Sequence, residues 1–209
     1  MASTTNLREL FGDIDVYLFD QLLKGRFPAG ATVLDAGCGY GRNLPYFLQN
    51  GYHVYGVDSS GEAITQVRML AGMQSPHYPV ERFTTAFVDK MPFERDFFDG
   101  VICNAILHFA QDEAHFEGML LELWRVLKPG GIFFARLAST IGIEARVKPI
   151  GAPGSRRFLL PDGSERFLVD EAMLKTYTAR LGAEFLEPIK TVNVENQRCM
   201  TNWVLRKTN

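Results

Sequence analysis

Cysteine is sparse in this chain. Cys38, Cys103 and Cys199 are odd in number, widely scattered and never in a CxxC pair, which argues against a disulfide framework and a cysteine zinc site. No cluster of histidines and acids has metal-ligand spacing, so no metal is expected. Neither sign of charge prevails: 22 Lys and Arg stand against 24 Asp and Glu, a formal net charge of -2. Without a basic excess, nucleic acid is not the expected partner. No run of eighteen apolar residues occurs, and "MASTTNLRELFGD" lacks a basic flank followed by an apolar stretch. Neither a membrane span nor a secretion signal is therefore expected, and the reading is a cytoplasmic chain. Hydrophobic residues are plentiful, 46% of 209 residues, enough for one domain with a sizeable core.

Short apolar runs alternate with longer amphipathic ones, the pattern of βα units around a parallel sheet. Strands are expected at 32–36, in "YHVYGVD", in "VERFTTAFV", in "FFDGVICNA" and in "IFFARLA". Helices are expected in "RNLPYFLQN", with Pro45 in its first turn and Asn50-Gly51 as its stop, and from Ser59 to about Met73. Ser59 with Glu62 reads as a capping box for the second of these. Between Asp112 and Leu127, Phe116, Met119, Leu120, Leu123, Trp124 and Leu127 recur at three and four, a core-facing helix that "KPGG" should stop. Residues 139–168 break the rhythm, and "LPDGS" there predicts a small hairpin. Asp170 is placed to cap a last helix through Leu181, followed by an antiparallel pair at 184–194 and 198–206. The expected division is a helical cap at 1–29, a cofactor-binding core at 30–138, an insert or lid at 139–168 and a C-terminal helix and strand pair at 169–209.

The chemistry concentrates in "VLDAGCGYGRN", residues 33–43. A dinucleotide fingerprint is GxGxxG, its third glycine allowing the helix to pack on the strand. Here the glycines are Gly37, Gly39 and Gly41, and Arg42 occupies the position of the third dinucleotide glycine. A cofactor without phosphates does not need a helix N-terminus pressed against it. Asp58 ends the second strand, where a carboxylate accepts from ribose hydroxyls, a need common to nicotinamide dinucleotides and S-adenosylmethionine.

"VLDAGCGYGRN", "VYGVDSS", "MPFERDFFDGVICNAILHF" and "LWRVLKPGGIFFARL" resemble, in that order, the motifs of class I S-adenosylmethionine-dependent methyltransferases. "GCGYGRNLPYFLQNGYHVYGVD" and "RCMTNWVLRK" are similar to the tellurite-resistance-like small-molecule members. The resemblance implies an α/β, Rossmann-like, seven-stranded, mostly parallel sheet of order 3-2-1-4-5-7-6, with helices on both faces and the last strand antiparallel. It implies S-adenosyl-L-methionine as cofactor, its methionine part over Gly37, Cys38 and Gly39 with the ammonium near Asp35, and its ribose at Asp58 flanked by Ser59. The adenine edge falls at the Val88 backbone, where Phe87 stands in place of the usual acid and Asp89 follows. Asn104 would border the sulfonium, and Tyr17, on an N-terminal helix, would close the pocket.

Methyl transfer needs alignment more than a base. His108 in "NAILHF" is the candidate catalytic base for a hydroxyl or ammonium acceptor, against the reading that it is packed at the strand end. Arg136, between "IFFA" and "LA", needs a partner if buried. Arg42, Arg156 and Arg157 are either anion receptors or solvated charges. The function expected is methyl transfer to a small-molecule acceptor. A binding protein without turnover and an NAD(P)-dependent oxidoreductase are the alternatives, and oligomeric state is not legible.

Overall fold

The computed structural model describes residues 6–208. Two short helices, α1 (Leu7–Phe11) and α2 (Val16–Leu23), lead into β1 (Thr32–Ala36), α3 (Pro45–Gln49), β2 (His53–Asp58), α4 (Gly61–Gln74) and β3 (Phe83–Thr85). β4 (Phe98–Asn104), α5 (Glu113–Val126) and β5 (Leu127–Ser139) follow. Then come three short strands, β6 (Lys148–Ile150), β7 (Arg157–Leu159) and β8 (Glu165–Phe167), and finally α6 (Glu171–Arg180), β9 (Ala183–Phe185), β10 (Lys190–Val194) and β11 (Arg198–Lys207).

The main sheet runs β10-β11-β5-β4-β1-β2-β3, with β9 also paired to β11. β1 to β5 are parallel, and β11 is antiparallel to β5. Counting β9 and β10 as one interrupted strand, this is the expected 3-2-1-4-5-7-6 order. β1 and β4 are buried along nearly their whole length, as strands covered on both faces must be. Their side chains alternate between two cores. Leu34, Val101, Cys103, Phe133, Ala135 and Trp203 pack with α5 and α6 on one face. Val33, Ile102, Phe134 and Val204 pack with α2, α3 and α4 on the other.

Four local expectations are corrected. The cap of α4 is Ser60, whose hydroxyl accepts from the Ala63 amide at 3.2 Å, and not Ser59. Ser60 gains that place because its own amide donates to Asp58 at 2.9 Å, which pins the entry to the helix. β3 keeps only three residues of "VERFTTAFV", since Val80–Arg82 forms a 3-10 turn. "KPGG" ends α5 but lies inside β5 as an irregularity, where the register jumps between Phe98 and Gly100 of β4. The strand expected at 184–194 is broken at 186–189, where Pro188 supplies no amide to a ladder. The Pro-Asp-Gly hairpin forms as β7 and β8, and β6 adds a third strand to it.

Candidate functional site

β1 lies between β2 and β4, where the strand order reverses direction, and the crevice at the carboxyl ends of such strands is where α/β sheets bind ligands. Gly37 and Gly39 follow β1 with φ of 76° and 51°, backbone values that disfavour a side chain. Gly37 is also needed sterically, because a Cβ there would stand 2.1 Å from Ile106 Cδ1. The turn's amides are engaged within the protein: Gly37 and Cys38 both donate to the Val57 carbonyl, and Gly39 donates to Asp58 Oδ2 at 2.9 Å. Both oxygens of Asp58 thus accept one backbone amide each, from Gly39 and Ser60.

Beside this turn is a cavity of about 350 Å³. It brings together Gly37, Asp58, Ser59 and Val88 of the expected residues, with Phe87 and Asp89 at the same wall. Ile106, Phe109, His115 and Met119 complete the lining and were not foreseen. Ile106 and Phe109 follow Ala105, which turns the chain sharply after Asn104 with φ of 63° in a residue that is not glycine, its amide donating to the Arg136 carbonyl at 2.8 Å, while His115 and Met119 come from α5. Only the fit of Gly37 against a large neighbour could have signalled Ile106. A wider hollow of about 800 Å³ beside α1 and α3 is lined by none of the expected cofactor residues.

The remaining expected residues lie outside that cavity. Cys38 is buried against Gly56, 3.0 Å from where a Cβ would stand, and burial pushes its thiol pKa up, so its side chain is packing. Asp35 is buried, and neither of its oxygens meets a hydrogen-bond partner of ordinary geometry. Burial raises its pKa to about 7 against the opposing pull of Arg42 and Asn43. Asn104 is buried with both side-chain polar atoms unpartnered. Tyr17 lies on α2 with the Arg136 guanidinium 5.3 Å from its ring centre.

Asp15 caps α2 by accepting from the Tyr17 amide, and its other oxygen meets Arg136 at 3.2 Å and Arg42 at 3.4 Å. Arg136 thereby finds the partner its setting required. Arg156 pairs with Asp170 at 2.6 Å and Arg157 with Glu165 at 3.4 Å. His108 is buried and does not line the cavity. Its Nδ1 accepts from the Ala138 amide at 3.2 Å. Burial first, then the charges of Arg166, Arg136 and Arg198, lowers its pKa to about 4.

A family model described as a methyltransferase domain matches residues 34–135, the stretch that carries this turn and cavity. Over these residues, just under half of its length, the chain is similar to that methyltransferase family. It is 33% identical over 111 residues to the malonyl-[acyl-carrier protein] O-methyltransferase of Salmonella typhimurium, covering 53% of this chain and 39% of that one. It is 28% identical over 186 residues to the tRNA U34 carboxymethyltransferase of Idiomarina loihiensis, covering 84% and 53%. The chain thus spans about half or less of these relatives' own lengths. A crystal structure of a Pyrococcus horikoshii protein shares the fold at a TM-score of 0.69 and 21% identity, covering 92% of this chain and 89% of that one. Among the described residues, no helix of the chain is long and apolar enough to cross a membrane, and no group of three or more His, Cys, Asp or Glu is placed to hold a metal ion.

Proposed function

We propose that the chain transfers the methyl group of S-adenosylmethionine to a small-molecule acceptor. The observation that carries this reading is how the glycine turn spends its amides. A pyrophosphate needs free backbone amides at a helix N-terminus. Here Gly37, Cys38 and Gly39 have given theirs to Val57 and Asp58, and α3 opens on Pro45, which has none. Below the turn sits the buried carboxyl of Asp35, which meets no hydrogen-bond donor of ordinary geometry among the described residues, a setting that favours a cationic amino group over a phosphate. The residues fit a sulfonium cofactor bearing an amino acid and do not fit a dinucleotide.

In this reading Asp35 faces the cofactor's ammonium and the Gly37–Gly39 turn its methionine backbone. Asp58 takes the ribose hydroxyls on the lone pairs that Gly39 and Ser60 leave free, and Ser59 flanks it. Val88, with Phe87 and Met119, holds the adenine. Asn104 borders the sulfonium, and Tyr17 closes over it from α2. The bound cofactor supplies a methyl group already activated on sulfur. What the chain adds is alignment in a water-poor crevice, an effect worth up to about 7–11 kcal/mol in favourable cases. We assign His108 a packing role instead of proton transfer, since its Nδ1 is engaged by Ala138.

The three cysteines are free and buried, in keeping with the reducing cytoplasm where we place the chain. A nucleic-acid acceptor, as the name of the Idiomarina relative describes for that protein, has less support here because the net charge is -2.

Melting temperatures with S-adenosylmethionine, S-adenosylhomocysteine, NAD and NADP test the reading. A ligand at a hundredfold its Kd stabilises by about 2.7 kcal/mol. The adenosyl sulfur compounds should raise the melting temperature and the nicotinamide cofactors should not. A rise with NAD or NADP alone overturns the proposal. Asp58→Ala should weaken S-adenosylhomocysteine by at least about tenfold and also lower the melting temperature, because it strands two amides. Unchanged affinity by calorimetry would reject the ribose contact.

A further inference from the structure

On the α2 side of the sheet, one register row runs across three strands. Asn104 of β4 stands opposite Arg136 of β5, and Arg136 opposite Asn202 of β11. With strands about 4.8 Å apart, the row extends about 10 Å away from the cofactor end. Two residues earlier on β4 and β5 and two later on β11, Ile102, Phe134 and Val204 fill the apolar core on the same face. The polar row therefore interrupts a packed layer where apolar residues would serve folding better.

Most of its buried side-chain polar atoms have no partner among the described residues. Asn104 and Asn202 are 7% and 2% exposed, and neither side-chain polar atom of either residue has a hydrogen-bond partner. Arg136 Nε is likewise unpartnered. An unpaired buried polar group costs about 1–3 kcal/mol. Among the described residues, the side-chain acceptor that meets the row is a carboxylate, Asp15, which Arg136 shares with Arg42, while the Tyr17 ring lies against the same guanidinium. Asp15 is the carboxylate that meets Arg136, while Arg42 also acts on the buried Asp35.

Resting on the methyl-transfer reading above, we propose that Asn104, Arg136 and Asn202 form an anchoring row that binds a carboxylate of the small-molecule acceptor, with Asp15 standing in for that carboxylate in the closed form. The planar guanidinium suits carboxylate recognition, and the two amides supply further donors. Asn104 lies at the cofactor end, so an anchored acceptor presents its nucleophile within about a ring's width of the methyl group.

The test uses the full chain, with and without saturating S-adenosylhomocysteine, titrated calorimetrically with acetate, benzoate and 4-hydroxybenzoate, each against its primary amide. At least one acid should bind about tenfold or more tightly than its amide, the scale of a charge-assisted hydrogen bond. Asn202→Leu should reduce that preference several-fold while melting, without ligand, no lower than the natural chain, since it replaces an unpaired amide with an apolar group. Asp15→Asn retains a helix-capping side chain and should strengthen acid binding, because the competing carboxylate is gone. Absence of any preference for acid over amide, or a preference that Asn202→Leu leaves intact, overturns the row. Acid binding that Asp15→Asn fails to strengthen overturns the stand-in role. If S-adenosylhomocysteine fails to bind while the acid preference and its reduction in Asn202→Leu persist, the cofactor reading falls and the row stands.

Discussion

The two sides of the site follow opposite rules. On the side proposed for adenosine the Asp58 oxygens are engaged before any ligand arrives, holding the Gly39 and Ser60 amides, and the rest of the wall is largely apolar, with Val88, Ile106 and Met119. On the side facing α2, Asp35, Asn104 and Asn202 are buried without partners. The first side is shaped by folding alone. The second keeps unpaired polarity that a ligand can complete, and that costs stability until one does. The contrast separates a preformed cavity wall from a region with unpaired polarity.

The largest effect should come from filling the preformed side. In Gly37→Ala the new Cβ meets Ile106 Cδ1 and Cγ1 at 2.1 and 2.2 Å, and the backbone φ of 76° is adverse to any side chain. A loss of about 2–3 kcal/mol is expected, together with loss of S-adenosylhomocysteine binding as Ile106 is pushed toward the cavity. Ile106→Ala in the same background should recover the steric part and leave about 1 kcal/mol of backbone cost. Chemical denaturation of Gly37→Ala, Ile106→Ala and the double variant measures both parts. No recovery in the double variant would mean that Ile106 does not wall the turn, and the preformed side would lose its definition.

A smaller effect, with a distinct pH signature, should come from the unpaired side. Burial raises Asp35 to about 7, so the folded state keeps a proton that the unfolded chain releases near pH 4. Stability is therefore greatest below the unfolded pKa and declines as pH rises toward 7. Cofactor binding should have the opposite slope, because a cationic amino group favours the ionised carboxylate. Affinity for S-adenosylhomocysteine should rise from pH 6 to pH 8 in the natural chain and stay flat in Asp35→Asn, with a gap of about tenfold at pH 8, the scale of a hydrogen bond to a charged group. Equal slopes in both proteins would move Asp35 to the satisfied side of the comparison.

The scaffold was more legible in the sequence than the site. The central strands and α5 follow from apolar runs and three-four periodicity, which tertiary packing reinforces in a doubly covered sheet. Local competition defeated the finer readings: Asp58 draws the Ser60 amide and shifts the cap by one residue, and Pro188 divides the strand next to β11. Arg136 was recognisable as needing a partner because it interrupts an apolar run, but Asp15 is 121 residues away and no local pattern links them. Ile106 and Phe109 enter the cavity through a positive φ at Ala105, a residue whose identity gives no hint of that conformation. The row of Asn104, Arg136 and Asn202 depends on the register of strands that are not neighbours in sequence, although Asn202 alternating with Met200 and Val204 marks a polar residue on an apolar face.

The smallest effect is expected at His108, which sits on neither side of the contrast. Its Nδ1 accepts from Ala138, and burial, followed by three arginine charges, lowers its pKa to about 4. The unfolded chain, with an imidazole near 6.5, takes up the proton first, so this residue's contribution is intact above about pH 6.5 and is lost as pH falls toward 4. Gln, which can also accept from the Ala138 amide, does not titrate. His108→Gln should therefore flatten the acid decline in melting temperature across that window. Turnover, once an acceptor is in hand, should stay within about twofold of the natural chain with a parallel pH-rate profile, whereas loss of a general base costs about a hundredfold or more. A large deficit at neutral pH that disappears at high pH would make His108 the base and extend the ligand-completed side of the site to it.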